Sequence, residues 1–283
     1  MKRFLTILFA AFSCMQASAQ DQSIQVMTFN VRYNSPKDSI NAWPNRKDRL
    51  ASQVHYHHPH LLGVQEALWD QMLDLNKALP QYKYLGVGRT DGDKKGEFSA
   101  IFYDTTRLRL LESNTFWLSE TPDKIGAKGW DAAIERIVSY GKFRDKTTGK
   151  IFYHFNTHFD HMGKIARRES AKLLLEKVAA ISGKLPAVVT GDFNATPDDE
   201  PIQVILDKQN KLRLTDAKAI SQTPHYGPTG TFNGFRSHET GNEPIDYIFL
   251  KGPWKVLQHA TISQTWKGLF ASDHFAVVAK LRL

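Results

Sequence analysis

Six short apolar segments of this chain run into side chains that apolar packing does not require. They meet Asn30 in MTFNVR, Gln65-Glu66 in GVQEAL, His158 in FNTHFDH, Asp192 and Asn194 in GDFN, Asp246 in PIDYIF, and Asp273-His274 in SDHFAV. The segments themselves alternate or are rich in β-branched and aromatic residues, so they read as strands, and the polar residues fall at strand ends or in the loops beside them. Around them the periodicity predicts helices over Asn45 to His58, from Gln65 to Leu79, and over Ile165 to Ile181. In the last of these, Ala166, Ser170, Leu173, Leu174, Val178 and Ile181 are spaced three or four apart. Further strands are expected at Tyr82 to Val87, Ser99 to Tyr103, Leu108 to Leu118, Thr231 to Phe235, Lys255 to Thr265 and Phe275 to Leu283. A hairpin joins Ile137 to Phe143 with Ile151 to Thr157. Hairpins with helices inserted between them imply an α/β (α+β) protein with two facing, mixed and mostly antiparallel sheets and helices outside.

With 283 residues, 41% of them hydrophobic, the chain can bury a sizeable core. No repeat, long linker or low-complexity tract divides residues 22–283, which read as a single domain. Residues 1–19 differ: Lys2 and Arg3 precede an apolar run from Phe4 to Phe12, and Ala17-Ser18-Ala19 completes a small-x-small site, the pattern of a cleaved signal peptide. A secreted or periplasmic protein, without a transmembrane segment in the mature chain and acting as a monomer, is the expectation. Lipid anchoring through Cys14 is the alternative, which Ala11-Phe12-Ser13 fits poorly. Removing Lys2 and Arg3 takes two from a formal net charge of +8 and still leaves a basic protein, which suits an anionic substrate. The basic residues are dispersed, so solvated faces explain them equally well.

Each polar strand end has an ordinary alternative. Asn30 could begin a turn, Glu66 could charge the first turn of a helix, His158 could be a satisfied half-buried imidazole, and Asp192 with Asn194 could form an Asx turn. Together, acidic, amide and imidazole groups at one kind of position form an oxygen-rich set without cysteine. Such a set suits a hard divalent cation, with the remaining Asp and His free for proton transfer.

These motifs, in this order, resemble the endonuclease/exonuclease/phosphatase superfamily over roughly residues 24–283. The resemblance implies a four-layered α/β sandwich with a rim active site, one or two Mg²⁺ (or Mn²⁺) ions, and hydrolysis of a phosphoester in a phosphorylated substrate such as nucleic acid or a nucleotide. Carried onto this chain, Glu66 is the principal metal carboxylate, helped by Asn30, and Asp273 completes or supports the metal site. Asp192 activates or orients water, and Asn194 holds a phosphate oxygen. His158 is oriented by Asp246, and His274 pairs with Glu97 of KGEFSAIFYD. Arg136 of ERIVSYGKF resembles a phosphate-binding arginine, its alternative being an ion pair with Glu135. The general base stays open between Asp192 and either imidazole.

Departures bear on the substrate. GVQEALWDQ has Ala67, Leu68 and Trp69 where DNase I-like enzymes carry a minor-groove arginine, and signatures of inositol phosphatases and sphingomyelinases are absent. The general plan is nearest to deadenylase-like exonucleases, so 3′–5′ exonuclease-like cleavage of RNA or another nucleic acid is the leading expectation. A phosphatase or phosphodiesterase acting on a lipid, inositol or sugar-phosphate head group is the alternative. Trp117, beside Phe116 in FWLSETPD, offers a face on which a base or sugar could stack, with core packing as its other reading.

Overall fold

The computed structural model describes residues 21–236 and 241–283. The expected signal peptide at residues 1–19, its cleavage near Ala19 and the Cys14 alternative lie outside the described residues. No helix among the described residues is long and apolar enough to cross a membrane.

Along the first half of the chain lie β1 (Ile24–Asn30), α1 (Trp43–His57), β2 (Leu61–Gln65), α2 (Trp69–Ala78), β3 (Tyr82–Leu85), β4 (Ile101–Asp104) and β5 (Leu108–Trp117). The second half supplies β6 (Ile137–Asp145), β7 (Ile151–His158), α3 (Lys164–Ser182), β8 (Ala187–Asp192), α4 (Glu200–Leu206), β9 (Thr215–Asp216), β10 (Asp246–Lys251), β11 (Lys255–Ile262) and β12 (Ala276–Arg282). They build two six-stranded sheets, in the orders β11-β12-β1-β2-β4-β3 and β5-β6-β7-β8-β10-β9. Only β1/β2 and β7/β8 pair in parallel; the other neighbours are antiparallel.

Alternation along the strands decides the layers, because successive side chains point to opposite faces. Val26, Leu61, Ile101, Phe143, Phe152, Val188, Ile248 and Val277 fill the space between the sheets. On the outer face of the first sheet, Phe29 and Val64 meet Leu50 and Val54 of α1 and Leu75 of α2. On the outer face of the second, Phe155, Val189 and Phe249 meet Leu174, Leu175 and Val178 of α3 and Ile202 of α4. Each such side chain contributes about 1.5–3 kcal/mol by leaving water, so the four layers hold without a disulfide. α1 stops where His58 turns left-handed (φ 44°) before Pro59, and α3 stops at Gly183. One expected strand is absent: Thr231 to Phe235 is a loop whose ladder contact is the single bridge Phe232–His274.

A polar seam fastens the sheets just beneath one rim. The side chain of Asn156 on β7 donates to the carbonyls of Val64 (2.8 Å) and Ala100 (2.9 Å), and accepts from Gln65 Nε2 (2.7 Å) and Thr190 Oγ1 (2.9 Å). All four of its hydrogen-bonding positions are used, so the buried amide fixes the approach of the sheets without an unmet polar group. Gly63 permits that approach, since a Cβ there would collide with Asn156 Oδ1 and Thr190 Oγ1.

His154 belongs to this seam, fully buried, with Nε2 2.8 Å from Thr190 Oγ1. Burial lowers its pKa to about 3. The native imidazole therefore stays neutral while the unfolded one takes up a proton below about pH 6.5, so the stability it contributes is present above pH 6.5 and lost as pH falls towards 3. Between pH 6.5 and 5 the loss is about 2 kcal/mol. Urea unfolding of the protein and of His154→Gln should show this as a shallower acid decline in the variant. Equal declines would mean that His154 is protonated in the native state.

Candidate active site

Strand register assembles the first half of the site. Parallel pairing sets His158 of β7 opposite Asp192 of β8, and antiparallel pairing sets Asp246 of β10 opposite the same Asp192. In the facing sheet, Asn30 ends β1 opposite Gln65, which ends β2 and is followed by Glu66. The loop entering β12 brings Asp273 and His274. The carboxy-terminal ends of β1, β2, β7 and β8 thus meet the amino-terminal ends of the antiparallel β10 and β12 at one rim, and side chains from both sheets line a cleft of about 630 Å³ there. Arg32, Glu66 and Asn194 all hold positive φ there (53°, 65° and 47°), a conformation that L-residues adopt at a cost and that aims their side chains into the cleft.

Asn30, fully buried, bridges the two sheets: its Nδ2 donates to Glu66 Oε1 (3.0 Å) and to Asp192 Oδ2 (2.9 Å), while its Oδ1 accepts from the Arg32 N–H (3.0 Å). Glu66 Oε2 accepts from the Tyr33 N–H (3.1 Å). Asp192 Oδ1 accepts from the backbone N–H of Asn194 (2.9 Å), so the Asx turn is formed as well as the site. Asn194 Nδ2 lies 3.0 Å from His158 Nε2 and 2.9 Å from the Phe159 carbonyl.

The two imidazole pairs are exchanged relative to expectation. Asp246 does not orient His158; it accepts from His274 Nδ1 at 2.9 Å. Glu97 does not reach His274; its Oε2 lies 3.9 Å from His158 Nδ1. The reason is topological: β10 neighbours β8, so Asp246 faces the loop that crosses from the other sheet with His274, whereas Glu97 precedes β4 and enters from the β7 side. Each ring consequently has its own character. Burial opposes a charge on His274, but Asp246 and Asp192 outweigh it and hold its pKa well above the ordinary range. Burial, then Arg136 and Arg89, hold His158 well below. With Asn194 donating to Nε2, His158 carries its proton on Nδ1, which makes no hydrogen bond and has Glu97 Oε2 as its ionic neighbour at 3.9 Å. Burial and the neighbouring Asp246 carboxylate raise Asp192 to about 7, against the pull of His274 and Asn30. Burial likewise raises Glu97 and Asp273.

Arg136 lies where expected, buried on the cleft, but its partner is Asp160 (3.5 Å) and not Glu135; its NH2 group also lies 3.0 Å from His161 Nδ1. Asp160 is held in turn by the N–H groups of Ala133, Met162 and Gly163. Arg136 NH1 is buried without a partner. Two further arginines escape sequence reasoning. Arg89 clamps Glu97 through two bonds of 2.7 and 2.9 Å. Arg32 grips Asp38 through two bonds of 3.1 Å and lies 3.7 Å from Asp273 and 3.9 Å from Glu66. The R of TFNVR was a visible signal for Arg32; Arg89, in a turn, had none.

Trp117 is a correction: it does not line this cleft. It is 4% exposed, packs with Ala127 and Ile137, and donates its indole N–H to the Arg89 carbonyl (2.7 Å). Its size and its strand-end position next to Phe116 favour core packing, and it touches the site only by steadying the arginine behind Glu97. Aromatic faces on the cleft come instead from Tyr33 and from Phe232, the latter 43% exposed and edge-on to His274 at 5.1 Å.

The donor set fits a divalent cation. Ligand atoms of Glu66, His158 and Asp192 lie within 4.8 Å of one another, and Asp273 stands beside Glu66 across Arg32. Hard oxygen donors without thiolate suit Mg²⁺ or Mn²⁺, and the upward pull on the pKa values of Asp192 and Asp273 reflects buried negative charge that a cation would relieve.

A model of the Endonuclease/Exonuclease/phosphatase family matches residues 27–274. Among solved structures, the chain is 41% identical to the endonuclease/exonuclease/phosphatase from Bacteroides vulgatus, with a TM-score of 0.88 over 92% of this chain and 99% of that one. It is 38% identical to the mannosyl-6-phosphatase of Bacteroides thetaiotaomicron VPI-5482, with a TM-score of 0.85 over 92% of this chain and 100% of that one. A curated relative, Uncharacterized protein L388 of Acanthamoeba polyphaga mimivirus, is 27% identical over 269 residues, 84% of this chain and 98% of that protein.

Proposed function

Since the chain belongs to the endonuclease/exonuclease/phosphatase family, we propose that it is a divalent-metal-dependent phosphoester hydrolase that removes the phosphate from a sugar phosphate. The observation that carries the substrate class is the 38% identity to a mannosyl-6-phosphatase whose whole length this chain covers. The cleft of about 630 Å³ supports it, having room for a compact head group. The protein works as an exported monomer, the signal-peptide pattern of residues 1–19 supporting a secreted or periplasmic location.

Glu66 and Asp273, with Asn30 between Glu66 and Asp192, would hold one Mg²⁺ or Mn²⁺, and a second ion would fall to Asp192 and its neighbours. When bound, the cation offsets the charge of the phosphate and polarises its oxygens. The chain does the rest. Arg136 NH1 and the Nδ1–H of His158, neither hydrogen-bonded within the protein, donate to phosphate oxygens. Asp192, facing His158 at 3.5 Å and His274 at 3.7 Å, orients the attacking water and receives its proton. Asn194 fixes the tautomer of His158. His274, charged and aligned by Asp246, stabilises the developing negative charge and hands a proton to the departing oxygen.

A second reading is diester cleavage, exonuclease-like, on RNA or another nucleic acid. The exposed ring of Phe232 beside His274, on which a base could stack, favours it. The mature chain with Mg²⁺ or Mn²⁺ should release phosphate from mannose 6-phosphate with a kcat/KM at least about tenfold above that for bis-p-nitrophenyl phosphate, and should leave single-stranded RNA intact. Cut RNA and an intact sugar phosphate would put the second reading in place of the first.

A further inference from the structure

A second cavity, of about 400 Å³, opens beside the catalytic cleft and shares Arg32, Phe232 and Asp273 with it. We propose that this cavity is the leaving-group subsite and that it takes a hexose ring; the proposal rests on the reading of the cleft as a sugar-phosphate site.

Three properties of its walls point to an uncharged polyol. Among the described residues its wall carries both signs, Arg32 locked to Asp38 and Arg236 beside Asp273, and no run of cations such as a polynucleotide backbone needs. The Arg32–Asp38 pair is a planar fork closed by two 3.1 Å bonds, with side chains 24% and 11% exposed. Its edge offers adjacent donors and acceptors with the spacing that neighbouring sugar hydroxyls can match. Aromatic rings complete the cavity: Phe232 is 43% exposed, and Phe235 rests on the buried Arg46 guanidinium at 5.7 Å. Such rings give the apolar face of a pyranose a place to lie.

The loop bearing these rings is held firmly. The N–H groups of Asn233 and Gly234 donate to the carbonyl of Asp273 (2.7 and 3.0 Å), and Asn233, fully buried, donates to the Ser272 carbonyl (3.2 Å) and accepts from the Phe235 N–H (2.8 Å). The platform is therefore tied to the backbone of the residue that supports the metal site. That is why the stretch from Thr231 to Phe235, strand-like in sequence, is a loop here. A sugar bound on it would have its phosphate directed at Arg136 and Asp192.

The test compares phosphate release from mannose 6-phosphate and from ethyl phosphate, which has neither ring nor free hydroxyl, by the Mg²⁺-loaded protein, Phe235→Leu and Asp38→Asn, with thermal midpoints confirming folding. The ratio of kcat/KM, sugar over alkyl, should fall about tenfold or more in either variant, mainly through KM. Ratios within about threefold of the unsubstituted protein in both variants would overturn the subsite while leaving the phosphatase reading intact. No preference for the sugar phosphate in the unsubstituted protein would overturn both.

Discussion

Glu66→Gln lowers kcat/KM on the preferred phosphoester by about a thousandfold or more, and weakens the dependence of turnover on Mg²⁺ concentration. The amide is nearly isosteric and can still accept a hydrogen bond from the Tyr33 N–H or from Asn30, which now hold the carboxylate at 3.1 and 3.0 Å. The positive φ of residue 66 comes from the backbone turn leaving β2 and is the same for Glu and Gln. Folding is therefore retained, and the change isolates the formal charge. Without that charge the cation keeps only Asp273 and the groups around Asp192, too few anionic donors for a tight site. Titrating Mg²⁺ against both the initial rate and the thermal midpoint separates the two effects, because an ion that binds only the native state raises the midpoint in proportion to its occupancy. The unsubstituted protein should show a midpoint rise that Glu66→Gln lacks at the same concentrations. A variant that keeps activity within about tenfold and the full Mg²⁺-dependent rise would move the metal to the neighbouring group of Asp192, Asp246 and His274.

Which residues crowd the rim was legible because strand ends are local: an apolar run stopping at Asn30, His158 or Asp192 announces itself in any window of ten residues. The sandwich was legible for the same reason, from alternation and helical periodicity. Pairings were not, since they depend on which strands become neighbours. Asp246 could be assigned to either imidazole until β10 was seen to lie against β8, with the His274 loop arriving from the opposite sheet. Thr231 to Phe235, with its β-branched and aromatic residues, read as a strand, yet the buried carbonyl of Asp273 claimed the N–H groups of Asn233 and Gly234. Arg89 acts only through its tertiary partner Glu97, so nothing in its own neighbourhood marks it, whereas Asp160 stands in the quoted FNTHFDH and only its partner, Arg136, was out of reach. Trp117 misleads in the other direction, because at the end of β5 its ring is walled off from the cleft by packing with Ala127 and Ile137.

Asp246→Asn reduces kcat by about a thousandfold or more with little change in KM, and it does so through His274. Asp246 Oδ2 accepts from His274 Nδ1 at 2.9 Å, while Nε2 faces Asp192 at 3.7 Å. An asparagine that offers its amide nitrogen to Nδ1 selects the opposite tautomer, and one that offers its oxygen removes the charge that favours the imidazolium. Either way Nε2 loses the proton it must present. Because the two residues act as a unit, the pair Asp246→Asn with His274→Ala should be no slower than His274→Ala alone, within about threefold. The pair Asp246→Asn with His158→Ala should instead multiply the separate losses, since His158 is served by Asn194 and stands near Glu97. Glu97→Gln supplies the mirror comparison and should couple to His158→Ala but not to His274→Ala. If Asp246→Asn proved additive with His274→Ala and silent on top of His158→Ala, the hydrogen bond at 2.9 Å would have no part in turnover, and His158 would be the imidazole that Asp246 serves.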